Sequence, residues 1–326
     1  MLLRLLRLNS VWISEIIILI WGIVWFVIGV RISNLASPYE GMPLFRLVAS
    51  LIFSGSILKQ IAGFAFILIT GVYTASFNTR YLFVGSRQMP FIFFILIAGS
   101  RPGDSDVYPV LMALPFILWS VDRLISTYRV QKSSYHAFEA GLLIGVSSFF
   151  YAPAMVFIIL VLVGVYLFRQ SGVREHLLAL TGYLLPFGFY FAGLFILNKP
   201  LEDATREMFS YLLNSSKESF SLAEGIWTGC YVIVLLISSY FMIFRFQTRK
   251  IIFRRSFTFF FWWFVLSLIT FFLVPSAGKE ILLLPSVPVS YLFSEFFLNT
   301  QHKKWGEFLL WLMVISLIFY IRFQVI

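Results

Sequence analysis

The sequence predicts an all-α bundle of transmembrane helices that forms a single integral membrane domain over residues 1–326. Composition is the first observation: 60% of the 326 residues are hydrophobic and only 12% are charged, whereas an average soluble domain is about 25% charged. A soluble chain of this length has too little interior to hide so much apolar surface. The second observation is a series of about eleven apolar runs, several of which reach the ~20 residues that cross a bilayer.

The predicted spans follow one another along the whole chain. Their expected bounds are about 11–30, 45–75, 89–100, 107–121, 139–150, 153–168, 177–197, 226–244, 257–275, 281–297 and 308–325. The first run follows a basic start, but it is long for a signal peptide, so we interpret it as a retained helix. The third run and the pair that turns at Pro153 are too short to cross ~30 Å as straight helices. We expect these short helices to pack inside the protein or to line a cavity.

The placement of charge predicts the orientation of the bundle. With the N-terminus inside, one end collects sixteen basic and six acidic residues, and the opposite end collects eight basic and nine acidic residues. Cytoplasmic loops carry an excess of Lys and Arg. We therefore expect a cytoplasmic N-terminus, an outside C-terminus and a location in the cell inner (plasma) membrane, and we call the two ends of the bundle inner and outer accordingly.

The composition also excludes several classes of protein. Cys230 is the only cysteine and the three histidines lie far apart, so a disulfide, a thiolate metal site and a histidine metal site are not expected. The sequence contains neither a GxxxxGK[S/T] nor a GxGxxG nucleotide motif. The net charge of +10 is explained by cytoplasmic loops. Membrane lipids and other membrane subunits, not nucleic acid, are the expected partners.

Most carboxylates fall in the outer loops, where three of them are candidate catalytic groups. Glu40 is the only carboxylate of the first loop; it is either an ordinary exposed loop residue or a functional group in a turn shaped by Gly41 and Pro43. Asp104 and Asp106 form an acid-x-acid pair in the second loop, where they could hold a divalent cation or act as a general base. The alternative for this pair is structural, since Asp favours turns and helix N-termini.

Arg101 and Lys59 are the candidate phosphate-binding residues. Arg101 precedes the acidic pair in the second loop, and a guanidinium suits bidentate contact with a phosphate. Lys59 falls in a long apolar stretch, and an ionisable group at membrane depth is a functional candidate. Alternatively, residues 45–58 form an interfacial helix, which would place Lys59 at the membrane boundary.

Three other segments are interpreted as structural. A basic hairpin at the inner end is expected to set the topology and to bind anionic headgroups; its residues are Arg245, Arg249, Lys250, Arg254 and Arg255. The aromatic run at 259–263 is expected to face lipid. Residues 202–207 are expected to share a short amphipathic helix on the outer surface.

The layout resembles the polytopic glycosyltransferases of the GT-C type, which use polyprenyl-phosphate-linked sugars. The likeness covers roughly residues 1–200, with 226–326 as a C-terminal helical portion. It rests on many spans, short broken helices, acidic residues in the first outer loops, and the segment from Phe138 to Pro153, which looks like a short helical hairpin common in that family. Two features depart from the family pattern: Glu40 stands alone in its loop, and the sequence has no counterpart of a large outer C-terminal domain. The chain also resembles uncharacterised bacterial inner-membrane families.

This resemblance implies sugar transfer from a lipid-phosphate donor at the outer face. The implied catalytic carboxylates are Glu40, Asp104 and Asp106. The same two aspartates would be the ligands of a divalent cation, if one is used. The implied substrate-binding residues are Arg101, Lys59 and Tyr151.

Two other classes of function stay open. One is a non-enzymatic membrane subunit or scaffold of a cell-envelope complex, and the other is a transporter of small molecules or lipids. A polar cavity near Lys59 and Gln60 would favour the transporter. Convergence of Glu40, Asp104 and Asp106 on an outer cavity would favour the enzyme, and their scatter over the surface would favour the scaffold.

Overall fold

A computed structural model describes residues 3, 7, 11–33, 41–52, 55–102, 104, 106–129, 134–168, 172–213, 221–245 and 251–324. Within these residues the chain forms thirteen α-helices. Their bounds are α1 Val11–Ser33, α2 Pro43–Ile52, α3 Ser56–Tyr81, α4 Met89–Ala98, α5 Val107–Ser126, α6 Tyr135–Ser148, α7 Ile158–Phe168, α8 Val173–Ile196, α9 Leu201–Leu213, α10 Leu222–Arg245, α11 Ile251–Leu273, α12 Ser286–Asn299 and α13 Lys303–Gln324. Short 3-10 segments at Ala152–Phe157 and Lys279–Leu283 precede α7 and α12. The predicted all-α class is confirmed.

Eight helical segments among the described residues are long and apolar enough to cross a membrane. They are α1, α3, α5, α8, α10, α11, the segment from Lys279 through α12, and α13. By contrast, α4 has ten residues and α6 has fourteen, which at 1.5 Å per residue gives only ~15 and ~21 Å. The chain is thus a multi-pass membrane protein in which long and short helices are mixed.

Helices α4, α5 and α12 form the centre of the bundle. Nine of the ten residues of α4 and eleven of the fourteen residues of α12 are buried. The two helices pack along each other, and the ring of Phe93 stacks on that of Phe297 with centroids 5.1 Å apart. Because protein surrounds α4, this helix does not have to span lipid. The prediction that short helices pack inside the protein is confirmed for α4.

The helices at the periphery present apolar side chains outward. Trp12 on α1, Phe189 on α8 and Leu236 on α10 are each more than 60% exposed. A soluble monomer rarely shows apolar patches of this extent. Surrounding hydrocarbon would cover them, which agrees with the membrane assignment.

Glycines allow α6 and α8 to pack closely together. A Cβ atom at Gly141 or Gly145 of α6 would overlap a backbone carbonyl of α8, and a Cβ atom at Gly182 of α8 would overlap the carbonyl of Phe138. Small residues four apart are typical of membrane helices whose backbones approach each other directly. The G-x-x-x-G spacing in α6 is the sequence signal for this contact.

The run predicted as one span at 45–75 is divided into two helices, so that prediction was wrong. Helix α2 ends at Ile52 and α3 begins at Ser56. The shorter helix buries Phe45 and leaves Leu51 exposed, as an amphipathic helix does. Hydropathy did not reveal the break because apolar residues lie on both sides of it. Lys59 consequently lies in the first turn of α3, near the outer end, and not in the middle of a span.

The aromatic run at 259–263 faces lipid only in part. Phe261 and Trp262 are exposed, but the other three members are buried. These buried members are Phe259, Phe260 and Trp263. A run of five residues covers every side of a helix with 3.6 residues per turn, so part of it must face the bundle. Phe260 stacks on Tyr291 of α12 with ring centroids 5.2 Å apart.

The ion pairs agree with the sorting of charges into two ends. Each Lys or Arg ion pair among the described residues joins two groups assigned to the same end. The inner pairs are Arg80–Asp122 and Arg123–Glu139. The outer pairs are Arg46–Glu207, Arg101–Asp104, Arg101–Glu224 and Lys279–Glu224.

Candidate functional site

Charged and tyrosine side chains from six segments gather at the outer end of the bundle. They come from the start of α3, the loop between α4 and α5, the turn after α6, the start of α10, the turn before α12, and α13. We call this set the outer cluster. Its members are Lys59, Arg101, Asp104, Asp106, Tyr151, Glu224, Lys279, Glu280 and Tyr320.

Glu224 links two basic residues in this cluster. One carboxylate oxygen lies 3.5 Å from Nη2 of Arg101, and the other lies 2.7 Å from Nζ of Lys279. The local sequence fixes the position of Glu224, because Ser221 and Glu224 form a capping box at the start of α10. The Ser221 backbone N–H donates to Oε2 of Glu224 at 2.8 Å, and the Glu224 backbone N–H donates to Oγ of Ser221 at 3.2 Å. One rigidly placed anionic group therefore reaches both cations.

Arg101 is a buried guanidinium held on several sides. Its side chain is 9% exposed, with Nη1 3.9 Å from Oδ2 of Asp104. Its positive charge also acts on Tyr320 of α13. These contacts join the second outer loop to α10 and α13, so the predicted phosphate-binding residue is fixed in place before any ligand arrives.

Tyr151 and Glu280 form a deeper part of the cluster. The Tyr151 hydroxyl donates to Oε1 of Glu280 at 2.9 Å, and the Gly278 backbone N–H donates to the same oxygen at 2.9 Å. Both side chains are buried. Burial, followed by the nearby charge of Glu280, raises the pKa of Tyr151 well above its ordinary value. The tyrosine hydroxyl thus remains a hydrogen-bond donor throughout the physiological pH range.

Lys59 lies beneath the second outer loop. Its side chain is buried, and its Nζ atom lies 4.8 Å from the centroid of the Tyr108 ring, within cation–π range. The negative charges of Asp104 and Asp106 act on it. Asp104 is half-buried and Asp106 is exposed, so these carboxylates form the solvent-facing side of the cluster.

A pocket of about 470 Å³ lies beside the cluster. Its lining includes Glu224, Lys279 and Tyr320, all of them cluster members. The rest of the lining includes Leu222 and Phe323, which are 79% and 54% exposed. The pocket thus combines charged groups on one side with an apolar rim of the kind that contacts lipid.

The structure brings together five of the six residues that the sequence singled out. These five are Lys59, Arg101, Asp104, Asp106 and Tyr151, and their individual roles stay predictions. Glu40 lies outside the described residues. The sequence did not single out four further members of the cluster, Glu224, Lys279, Glu280 and Tyr320. The S-x-x-E pattern before an apolar run was the available signal for Glu224, whereas Glu280 was indistinguishable from an ordinary loop carboxylate.

The carboxylates are arranged among cations. Within the described ranges, no group of three or more His, Cys, Asp and Glu side chains could hold a metal ion. Asp104 pairs with Arg101, and Lys59 adds positive charge on the same side. These charges oppose a further cation at Asp104 and Asp106, so a divalent ion there stays a prediction.

Gln60 has a structural role, whereas in a transporter it was expected to lie at a central polar cavity. Its side-chain amide donates to the Gly29 carbonyl at 2.9 Å, and its backbone carbonyl accepts from Nε1 of Trp25 at 3.1 Å. Gln60 thus fastens α3 to α1. Because Gln60 is used in this contact and Lys59 lies near the outer end, the outer cluster is a better candidate site than a central cavity around these two residues.

Comparison with known proteins identifies a family but no activity. No curated protein and no solved structure matches the chain significantly. A family model described as a family of unknown function (DUF6427) matches residues 1–326. The chain therefore belongs to the DUF6427 family.

Proposed function

We propose that this multi-pass membrane protein transfers a sugar from a lipid-phosphate donor to an acceptor hydroxyl at the outer face of the inner membrane. The observation that supports this most is the convergence of Arg101, Lys279 and Glu224 with Asp104 and Asp106 in one cluster, beside a pocket that Glu224 and Lys279 line. A donor of this kind has an apolar chain, a phosphate and a sugar. The pocket offers an apolar rim with Lys279 and Glu224 in its lining, and Arg101 and the two aspartates lie in the adjoining part of the cluster.

Arg101 and Lys279 are the proposed phosphate-binding groups. Glu224 already bridges them with its two oxygens, and a phosphate presents oxygens of similar reach and greater charge. Arginine contacts such a group through two parallel N–H donors, and lysine adds a compact point charge. The donor's phosphate would therefore take over part of the bridging role of Glu224.

Asp104 is the proposed general base. It would accept the proton of the acceptor hydroxyl while the hydroxyl oxygen attacks the anomeric carbon of the donor sugar. The bond between that carbon and the phosphate oxygen breaks, and the lipid phosphate leaves with the electron pair. Arg101 and Lys279 stabilise the negative charge on this leaving group. Tyr151, whose hydroxyl donates to Glu280, forms the deep side of the cluster and can accept a hydrogen bond from the substrate.

Transfer by the reconstituted full-length chain would test the proposal. The donor probe is a polyprenyl-phosphate lipid extract from cells that lack the protein, since the unused donor should accumulate there. We expect Asp104→Asn and Arg101→Gln to lower transfer at least ~100-fold, the usual contribution of a general base or a charged donor. Arg46→Gln is the matched control, because Arg46 pairs with Glu207 at the same end but outside the cluster.

Two results would overturn the proposal. One is full transfer by both Asp104→Ala and Glu40→Ala variants. The other is a deletion strain in which no lipid-linked sugar accumulates and no transfer returns when the wild-type chain is restored.

A further inference from the structure

A second binding surface lies in the membrane-embedded part of the bundle, away from the outer cluster. Helices α10 and α11 follow each other in the sequence but contact each other little, and α12 packs behind both. The resulting groove has a volume of about 610 Å³, within the ~300–1,000 Å³ of typical ligand sites. Its lining is almost wholly apolar and includes Leu236, Met242, Phe257, Phe261 and Leu292.

The groove opens sideways, toward the surrounding hydrocarbon. Leu236 and Ile243 of α10 and Phe261 of α11 line it and are 62%, 70% and 60% exposed. Both helices belong to the membrane-spanning set, so the medium outside the groove is lipid and not water. A hydrocarbon chain is the occupant that this medium supplies.

The inner mouth of the groove carries a basic residue. Arg254 precedes Thr258 by one helical turn and Phe261 by two, so it lies on the face of α11 that lines the groove. Helical side chains tilt toward the N-terminus of their helix, which directs Arg254 to the inner membrane surface. Within the described part of the chain, its buried Nε atom has no hydrogen-bond partner.

The neighbouring Arg255 has a different environment. Its guanidinium lies 5.6 Å from the centroid of the Tyr128 ring, just beyond the end of α5. Arg255 therefore contacts the bundle, whereas Arg254 remains at the groove. The two adjacent arginines lie at the same membrane depth, so a substitution of Arg254 tests the groove and the same substitution of Arg255 is its matched control.

We propose that this groove binds an anionic phospholipid of the inner leaflet, with an acyl chain between α10 and α11 and the phosphate on Arg254. Charge complementarity supports an anionic headgroup, because the inner end carries the excess of basic residues and faces the leaflet rich in anionic lipid. The apolar lining supports the acyl chain. The site does not depend on the outer cluster or on sugar transfer.

Lipid retention by the purified full-length chain tests the proposal. The chain is mixed with detergent-solubilised phosphatidylglycerol or phosphatidylcholine, and the retained lipid is counted by native mass spectrometry. We expect wild type to retain phosphatidylglycerol preferentially. Arg254→Gln should lower that retention about fivefold, the factor expected for one basic residue at the membrane surface, and Arg255→Gln should not.

Filling the groove with a large side chain is an independent test of lipid binding. Ser239 lines the groove, so Ser239→Trp should abolish retention, while Ile233→Trp, at an exposed position of α10 outside the lining, should leave it unchanged. If Ser239→Trp fails to fold, the comparison of the two arginine variants decides alone.

Several outcomes would overturn the proposal. They are wild-type retention by Ser239→Trp, equal effects of the two arginine substitutions, and equal retention of the two lipids. A dimer that dissociates in Ser239→Trp while lipid retention stays constant would also overturn it, since a second copy of the chain would then occupy the groove.

Discussion

Among the described residues, Asp122 of α5 has the densest set of side-chain bonds at the inner end. It accepts hydrogen bonds from the Tyr73 hydroxyl at 2.7 Å, the Tyr81 hydroxyl at 2.9 Å and Nη1 of Arg80 at 2.7 Å. All three donors belong to α3, and the Asp122 side chain is 7% exposed. This carboxylate therefore fastens α3 to α5 near the inner membrane surface.

Removing this carboxylate should destabilise the bundle. In Asp122→Ala, two tyrosine hydroxyls and a half-exposed guanidinium lose their common acceptor, and we expect a loss of about 3 kcal/mol in the free energy of unfolding. Tyr81→Phe removes one hydrogen bond and should cost only about 1 kcal/mol. Unfolding in detergent, followed by circular dichroism, measures both. A loss in Asp122→Ala no greater than in Tyr81→Phe would contradict the role assigned to Asp122.

The outer cluster shows which site residues a sequence can predict. Arg101, Asp104 and Asp106 stood out because charged residues are rare in this chain and these three share one loop rich in Gly and Pro. Glu224 and Lys279 did not stand out, although their 2.7 Å contact is the shortest ion pair of the cluster. Their meeting depends on how α10 and the turn before α12 are placed side by side, and no local pattern encodes that placement.

Among the elements, the contact between α6 and α8 depends most directly on residue size. Gly141 and Gly145 on one helix and Gly182 on the other face backbone carbonyls across the contact. Gly188 of α8 meets no atom within 4 Å of an added Cβ. One helix therefore contains a glycine that the packing requires and another that it does not.

This difference predicts the effect of valine at each position. Gly182→Val should lower the free energy of unfolding by about 1–3 kcal/mol or more, because the added methyl groups force the two backbones apart. Gly188→Val should change it little. The two variants share a helix and a substitution, so helix propensity cancels in the comparison. Equal melting temperatures for the two variants would show that the contact is looser than the structure indicates.

The helices themselves were largely predictable, and the exceptions have physical reasons. Long apolar runs bounded by charges, such as those that became α5 and α13, overlap their predicted positions, although each helix extends further at one end. The break between α2 and α3 was missed because it contains no charged residue and both flanks are apolar. The burial of three of the five residues of the aromatic run was missed because hydropathy does not distinguish a lipid-facing aromatic side chain from one in the core.

At the scale of the whole molecule, two sets of charges occupy opposite ends of the bundle. The separation is visible in the ion pairs, none of which, within the described residues, joins a Lys or Arg of one end to a carboxylate of the other. The summed charge of many loops was readable from the sequence. Individual pairings within each end were not, since they depend on which helices become neighbours.

Cysteine labelling tests which end faces the cytoplasm. Cys230 is the only cysteine, so Cys230→Ala gives a chain without cysteine. In that chain a single cysteine is introduced at an exposed loop position, either as Lys199→Cys at the outer end or as His302→Cys at the inner end. A maleimide that does not cross membranes should label Lys199→Cys in intact spheroplasts, and His302→Cys only after permeabilisation. The reverse pattern would invert the topology and place the outer cluster in the cytoplasm.

The stacking of α4 on α12 bears on how the protein is synthesised. The ribosome completes α4 many seconds before it reaches α12, at ~5–20 residues per second. A ten-residue helix is too short to hold a transmembrane position alone, so α4 must be sheltered by α3 and α5, or by the insertion machinery, until its late partner arrives. The centre of the bundle is therefore among the last parts to be assembled. A nascent chain released before residue 286 would lack the surface on which its central helix stacks, and quality-control proteases could recognise it by that exposed helix.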